Sequence, residues 1–247
     1  MPTTPATVAA TDRHADVPVM ILTGPPGAGK STAMRAFRRR FPGLIHFGVR
    51  VFFERQIEQG TPLGLRAKKF HDTKVWHPDE LIFDGIASWL DEGLPAATRV
   101  VLEGFPRNRS QARALDGVLG DRGLRVDRLV YLNVPDEVAA ARVMTREVCT
   151  SCETIVADAI PVPGTACVRC GRQLVRRPDD DQQTFRRRLA RQRQGAVELL
   201  DHYEALGVVV RIDGTSPPAQ VAAALEVAAP AAQIAARRIQ QPATRGA

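Results

Sequence analysis

Val17-Pro18-Val19-Met20-Ile21-Leu22-Thr23-Gly24-Pro25-Pro26-Gly27-Ala28-Gly29-Lys30-Ser31-Thr32 runs from an apolar stretch straight into a glycine-rich loop and on into a helical pattern. The loop fits Gly-x4-Gly-Lys-[Ser/Thr], and its place after a strand and before a helix is the one its chemistry requires. Glycines let the backbone curl so that successive N–H groups face phosphate oxygens. The helix start adds its positive end, and Lys30 reaches the β and γ oxygens. Gly27, Ala28, Gly29, Lys30, Ser31 and Thr32 are thus candidate ligands of ATP or GTP, with Ser31 or Thr32 able to contact Mg²⁺.

Outward from this loop the chain alternates. Apolar runs at residues 17–22, 44–47, 100–102, 129–134 and 208–212 read as buried strands. Helical patterns fill residues 30–40, 51–59, 78–90, 109–119, 135–145, 179–206 and 218–227. The expected fold is α/β: a five-stranded parallel sheet with helices on both faces. In the long helix, Phe185, Leu189, Val197, Leu200 and Tyr203 read as core, and Asp179, Asp180 and Asp181 suit the positive end of the helix dipole. Residues 1–16 and 230–247 look like solvated, disordered tails around a unit at 17–229.

The chain has 247 residues, 44% hydrophobic and 25% charged, which suits one enzyme-sized unit and excludes a fibrous or wholly disordered protein. Thirty-four Lys and Arg against 27 Asp and Glu give a net charge of +7, nearly all of the base being arginine. Arginine favours bidentate contacts with phosphate or carboxylate. Neither a run of 18 apolar residues nor a secretory signal is present, so a cytoplasmic protein is expected, with no membrane partner. The four cysteines form two Cys-x-x-Cys pairs, Cys149/Cys152 and Cys167/Cys170, separated by 14 residues. In a reducing compartment that spacing favours a structural four-thiolate metal site over disulfides, with zinc preferred and iron also fitting. Four protein ligands leave no open position for chemistry, so the metal would staple a segment too small to bury its own core.

Val100-Val101-Leu102-Glu103 is a strand ending in a carboxylate, where a phosphate-loop enzyme holds Mg²⁺ or its water shell. It continues as Gly104-Phe105-Pro106-Arg107-Asn108-Arg109-Ser110-Gln111. This segment resembles the Asp-Gly-Phe-Pro-Arg-x3-Gln of adenylate kinases, and the loop above is similar to that family's Gly-x-Pro-Gly-x-Gly-Lys-Gly-Thr. Further matches are Gly60-Thr61-Pro62-Leu63-Gly64, His77-Pro78-Asp79-Glu80, Asn133-Val134-Pro135-Asp136, Arg142, Arg146, Arg177-Pro178-Asp179-Asp180, Arg188-Leu189 and Ile212-Asp213-Gly214, so that the resemblance covers roughly residues 17–228.

The resemblance implies a nucleoside monophosphate kinase that moves the γ-phosphoryl group of Mg-ATP to AMP, as a monomer. Gly104, Phe105 and Arg107 would line the monophosphate site, with Arg107 on the phosphate and Gln111 reading the base. Arg142 and Arg146 would serve ATP, and Arg177 and Arg188 the acceptor. Lys30, Arg107, Arg146, Arg177 and Arg188 would surround the transferred group. A helical monophosphate-binding segment at about residues 46–76 and a zinc lid at about 147–177, held by Cys149, Cys152, Cys167 and Cys170, would close together and exclude water.

The segment at 46–76 departs from the family. Counted back without a gap from Gly60, Val49 falls at a threonine and Glu54 at the phosphate-binding arginine. Either Arg50 or Arg55 supplies that charge from a shifted position, or the acceptor is not AMP. Trp76 and His77, near the expected base pocket, could alter base choice. A kinase of another nucleoside monophosphate or of a small metabolite is the second reading. A third is an ATP-dependent nucleic-acid-binding module using the Cys₄ knot and the arginines, disfavoured by an aromatic content of 5%.

Overall fold

A computed structural model describes residues 16–73, 75–149, 155–156, 166–167, 170–177 and 180–231. Five parallel strands form the main sheet: β1 (Val19–Thr23), β2 (Leu44–Gly48), β3 (Arg99–Glu103), β4 (Val126–Asn133) and, last in the chain, β8 (Val209–Asp213). They lie in the order β2-β3-β1-β4-β8, so the phosphate-loop strand sits at the centre. Every side chain of β1 is buried, as expected of a parallel strand covered on both faces.

Alternation along the strands divides the core in two. Val19, Ile21, Val100, Leu102 and Leu129 face one layer, made by α2 (Val49–Glu58), α4 (Asp79–Gly93), α5 (Arg109–Gly120) and α7 (Gln182–Glu204). Met20, Leu22, Val101, Val130 and Leu132 face the other, which holds Phe37 of α1 (Lys30–Arg40), Val143 of α6 (Asp136–Thr145) and Leu225 of α8 (Pro218–Ala228).

Most element positions agree with the sequence expectation to within about two residues, a normal spread for helix ends. A further helix, α3 (Pro62–Asp72), was not among the expected elements. Its start is locally specified, because the Thr61 hydroxyl accepts the Gly64 N–H at 3.0 Å and Pro62 occupies the first turn. The described residues of the cysteine segment form a small antiparallel sheet, with β5 (Glu147–Cys149) between β6 (Ile155–Val156) and β7 (Leu174–Val175).

The long helix also differs. α7 begins at Gln182, because the Asp181 carboxylate accepts the Thr184 N–H at 2.8 Å and caps it. Its core face is Phe185, Leu189, Gln192, Ala196, Leu199 and Tyr203, a regular alternation of four and three. Val197, expected in the core, is 62% exposed; it lies one position off that stripe, where Ala196 already occupies the inward place. The expected tails at 1–16 and 230–247 fall almost wholly outside the described residues, as does Asp179.

Candidate active site

The loop between β1 and α1 owes its shape to glycines. Gly27 has φ +83°, and a Cβ there would come within 2.4 Å of the Ala139 carbonyl oxygen, so no other residue fits without rearrangement. Gly29, at φ 90°, caps α1 with no side-chain acceptor. The first amides of the helix are thereby left facing the loop, an anion-binding arrangement. Lys30 is half-buried beside it, its Nζ donating to Gly24 O at 2.8 Å and Pro25 O at 2.9 Å. Burial pushes its pKa from 10.5 down to about 8, the Glu103 charge opposing and Arg188, Arg107 and Arg146 adding to the fall. Three positive groups close enough to press on one ammonium mark a place built for an anion.

At the end of β3, Glu103 Oε1 accepts the Ser31 hydroxyl at 2.7 Å, and Oε2 lies 3.0 Å from His46 Nε2. Burial alone would raise this carboxyl. His46, Ser31 and Lys30 more than compensate and hold it below the usual carboxylate range. Glu103 is therefore an ionised carboxylate beside a hydroxyl, the oxygen donor set that Mg²⁺ prefers. His46 did not figure among the expected site residues, although a lone histidine inside the apolar Leu44-Ile45-His46-Phe47 run was a visible signal.

One cleft of about 710 Å³ joins these groups. Gly27, Ala28, Gly29, Lys30, Ser31, Thr32, Glu103, Gly104, Arg107, Arg142, Arg146, Arg177 and Arg188 all line it, together with Val49 and Arg50 from α2. Arg142 Nη1 donates to Gly214 O at 2.7 Å. Arg146 makes a two-pronged contact with the wholly buried Asp180. Arg107 Nε donates to Gly104 O at 3.0 Å, and its guanidinium lies over the ring of Trp76, 4.0 Å from the centroid. Burial, with the neighbouring Arg188 and Arg191, lowers its pKa to about 10.

Two expected residues stand outside the cleft lining. Phe105 is fully buried and packs edge-on against Phe83. Gln111 is buried at 7% exposure, where an isolated helix glutamine would ordinarily face solvent. Its Oε1 accepts the Arg107 N–H at 2.7 Å and its Nε2 donates to Asp79 Oδ1 at 2.7 Å. Beside it, His77 stacks on Phe53 with ring centroids 4.3 Å apart, and burial lowers its pKa to about 4, so it is neutral at pH 7. In α2, Arg50 Nε donates to Glu54 Oε1 at 2.8 Å, while Arg55 is exposed.

Away from the cleft, the sulfurs of Cys149, Cys167 and Cys170 lie within 4.8 Å of one another, with Cys149 and Cys170 Sγ 3.4 Å apart. Cys149 and Cys167 are buried. Three converging thiols of this spacing suit a tetrahedral thiophilic ion. Cys152, the fourth expected ligand, lies outside the described residues.

Known proteins are similar to this chain over most of its length. The profile of the adenylate kinase family matches residues 22–208. An adenylate kinase of Sphingopyxis alaskensis is 35% identical over 210 residues, covering 84% of this chain and 95% of the relative. One from Symbiobacterium thermophilum is 35% identical over 212 residues, covering 85% and 97%. One from Streptomyces griseus is 35% identical over 207 residues, covering 83% and 94%. The profile takes in the phosphate loop, strands β2, β3 and β4 and the cleft arginines, and the chain belongs to the adenylate kinase family.

Proposed function

We propose that this chain catalyses ATP + AMP = 2 ADP by direct in-line transfer of the γ-phosphoryl group. The carrying observation is that the Lys30 loop, the Ser31–Glu103 pair and six arginines line one cleft. Phosphoryl transfer asks little covalent chemistry of a protein, so positioned charge suffices and no general base is needed. The amides of the loop and the start of α1, with Lys30, Arg142 and Arg146, bind the ATP phosphates. Arg107, Arg177 and Arg188 bind the acceptor phosphate and stabilise the negative charge that spreads over the moving group. Gly104 and Phe105 shape the acceptor side, and Gln111, fixed by Arg107 N and Asp79, presents its remaining amide capacity to the base.

The residues fit both metals of the proposal. Ser31, with Thr32 beside it, and the ionised Glu103 would hold Mg²⁺ or its water shell, and the ion supplies further charge neutralisation at the phosphates. Cys149, Cys152, Cys167 and Cys170 would hold a structural Zn²⁺ that ties β5 and β7 together. The unit at 17–229 then comprises a core, a monophosphate-binding segment at 46–76 and a lid at 147–177. Closure of both around the substrates excludes water as a competing acceptor. Among the described residues no helix is long and apolar enough to cross a membrane. A monomeric cytoplasmic enzyme completes the proposal.

Val49 and the Arg50–Glu54 pair favour a second reading, in which the acceptor is another nucleoside monophosphate or a small phosphorylatable metabolite. The test is ADP formation from Mg-ATP and AMP in the unaltered chain and in Arg107→Ala. Removing a buried phosphate ligand should lower kcat/KM by about 100-fold or more. Equal rates in the two proteins would reject the assignment of Arg107.

A further inference from the structure

The acceptor side of the cleft has more positive charge than its proposed machinery uses. α2 brings one cation to the cleft, Arg50, and that guanidinium is engaged by Glu54 at 2.8 Å. Across from it, α7 packs tightly on the segment that carries Arg107. A Cβ at Gly195 would lie 2.2 Å from the Arg107 carbonyl oxygen, so helix and loop touch backbone to backbone. Arg188, Arg191 and Gly195 are spaced three and four apart and share one face of α7. Arg191 therefore stands between the cleft-lining Arg188 and the Arg107 contact.

Trp76 reports the same convergence independently. Both Arg107 and Arg191 lie over its ring, with Cζ 4.0 Å and 4.3 Å from the centroid. A single neutral ring offers each cation only modest stabilisation at a partly exposed site, and it does not cancel their mutual repulsion. Among the described residues neither guanidinium has a salt-bridge partner within 4.0 Å, and Asp79 is the carboxylate whose charge acts on Arg107. Two arginines gathered on one indole lack an anion between them. We propose that Arg191 is a further acceptor-phosphate residue, brought beside Arg107 by the Gly195 contact and aligned by Trp76. It serves the dianionic phosphate of the nucleoside monophosphate. Trp76 is a positioning residue for both guanidinium groups.

This inference rests on the phosphotransfer reading, and the test separates the two. Steady-state kinetics on the full, zinc-loaded chain compare the unaltered protein with Arg191→Ala, Arg191→Lys, Trp76→Phe and Trp76→Ala, with thermal midpoints as the check on folding. Arg191 is exposed, so its replacement should leave the midpoint unmoved. Losing one charge-assisted phosphate contact should raise KM for AMP about 10-fold or more, with KM for ATP and kcat held within about twofold. Lysine should recover part of the loss, since it keeps the charge but not the fork. Trp76→Phe should behave nearly as the unaltered chain, and Trp76→Ala should raise KM for AMP. An unchanged KM for AMP in Arg191→Ala, or equal rises in both KM values, overturns the inference while the phosphotransfer reading stands. Absence of AMP-dependent turnover in the unaltered chain overturns that reading, and the inference with it.

Discussion

Replacing Lys30 by methionine should abolish phosphotransfer and, at pH 7, make the ligand-free protein more stable. The Lys30 ammonium is held by the Gly24 and Pro25 carbonyls at the wall of the cleft, and burial lowers its pKa from 10.5 to about 8. A cation whose pKa is lower folded than unfolded is charged at the expense of stability. The cost is complete below about pH 8, shrinks as the pH rises from about 8 to 10.5, and is gone above that. At about 1.4 kcal/mol per tenfold change in the protonation equilibrium, the fall from 10.5 to about 8 is on the order of 3 kcal/mol. Methionine leaves the Gly24 and Pro25 carbonyls without their donor, which returns about 1 kcal/mol, so a net gain of about 2 kcal/mol is expected at pH 7. The assay is urea unfolding of metal-loaded protein, followed by far-ultraviolet circular dichroism at pH 7 and 9.5. The variant should lead by about 1 M in urea midpoint at pH 7 and by close to nothing at pH 9.5. Saturating Mg-ATP should reverse the order, because only the unaltered chain gains the full binding free energy. A variant less stable at pH 7, or a gap indifferent to pH, would show that the Lys30 charge carries no folding cost.

Three further outcomes follow from the geometry. Asp180→Asn removes the charge that faces Arg146 in a buried two-pronged pair, so it should cost about 3 kcal/mol in urea unfolding and lower kcat; an unchanged midpoint would contradict the pairing. Gly195→Ala pushes a methyl group toward the Arg107 carbonyl and should cost about 1–3 kcal/mol while raising KM for the acceptor more than for ATP, read by thermal melting and kinetics. Elemental analysis should find about one zinc per chain, and stripping it with a chelator, or replacing Cys149 with serine, should lower the melting midpoint; protein that melts alike with and without chelator would reject a structural metal.

The sheet was legible in the sequence because its strands are buried on both faces and therefore read as unbroken apolar runs. The phosphate loop was legible because its chemistry demands fixed residue types at fixed spacing. α3 was not, since Gly64 interrupts its pattern and Leu63, Leu65, Ala67 and Phe70 make no clean stripe; Thr61-Pro62 was the sign that a helix starts there. Val197 was misplaced because an apolar residue beside the true stripe looks like part of it, whereas the polar Gln192 holds a core-facing position. In the site, the phosphate-loop residues, Glu103, Gly104 and Arg107 line one cleft, whereas Phe105 and Gln111 of the same contiguous motif lie outside its lining. In sequence Arg191 is one of four cations in the Arg186-Arg187-Arg188-Leu189-Ala190-Arg191 run, a pattern that by itself reads as a solvated face, and its place beside Trp76 depends on how α7 packs on the Arg107 segment, a contact between residues far apart in sequence. Gln111 and His46 likewise take their meaning from partners on other elements, Asp79 and Glu103.

Under the proposed function one cleft holds two phosphate-bearing substrates and passes a phosphoryl group between them. Its most direct test is coupled phosphotransfer from Mg-ATP to a panel of AMP, CMP, UMP, GMP and deoxynucleoside monophosphates, with Arg107→Ala alongside. ADP should form in an AMP-dependent reaction that is faster than with the other acceptors and is lost in the variant. Folded, zinc-loaded protein that transfers phosphate to no member of the panel would contradict it.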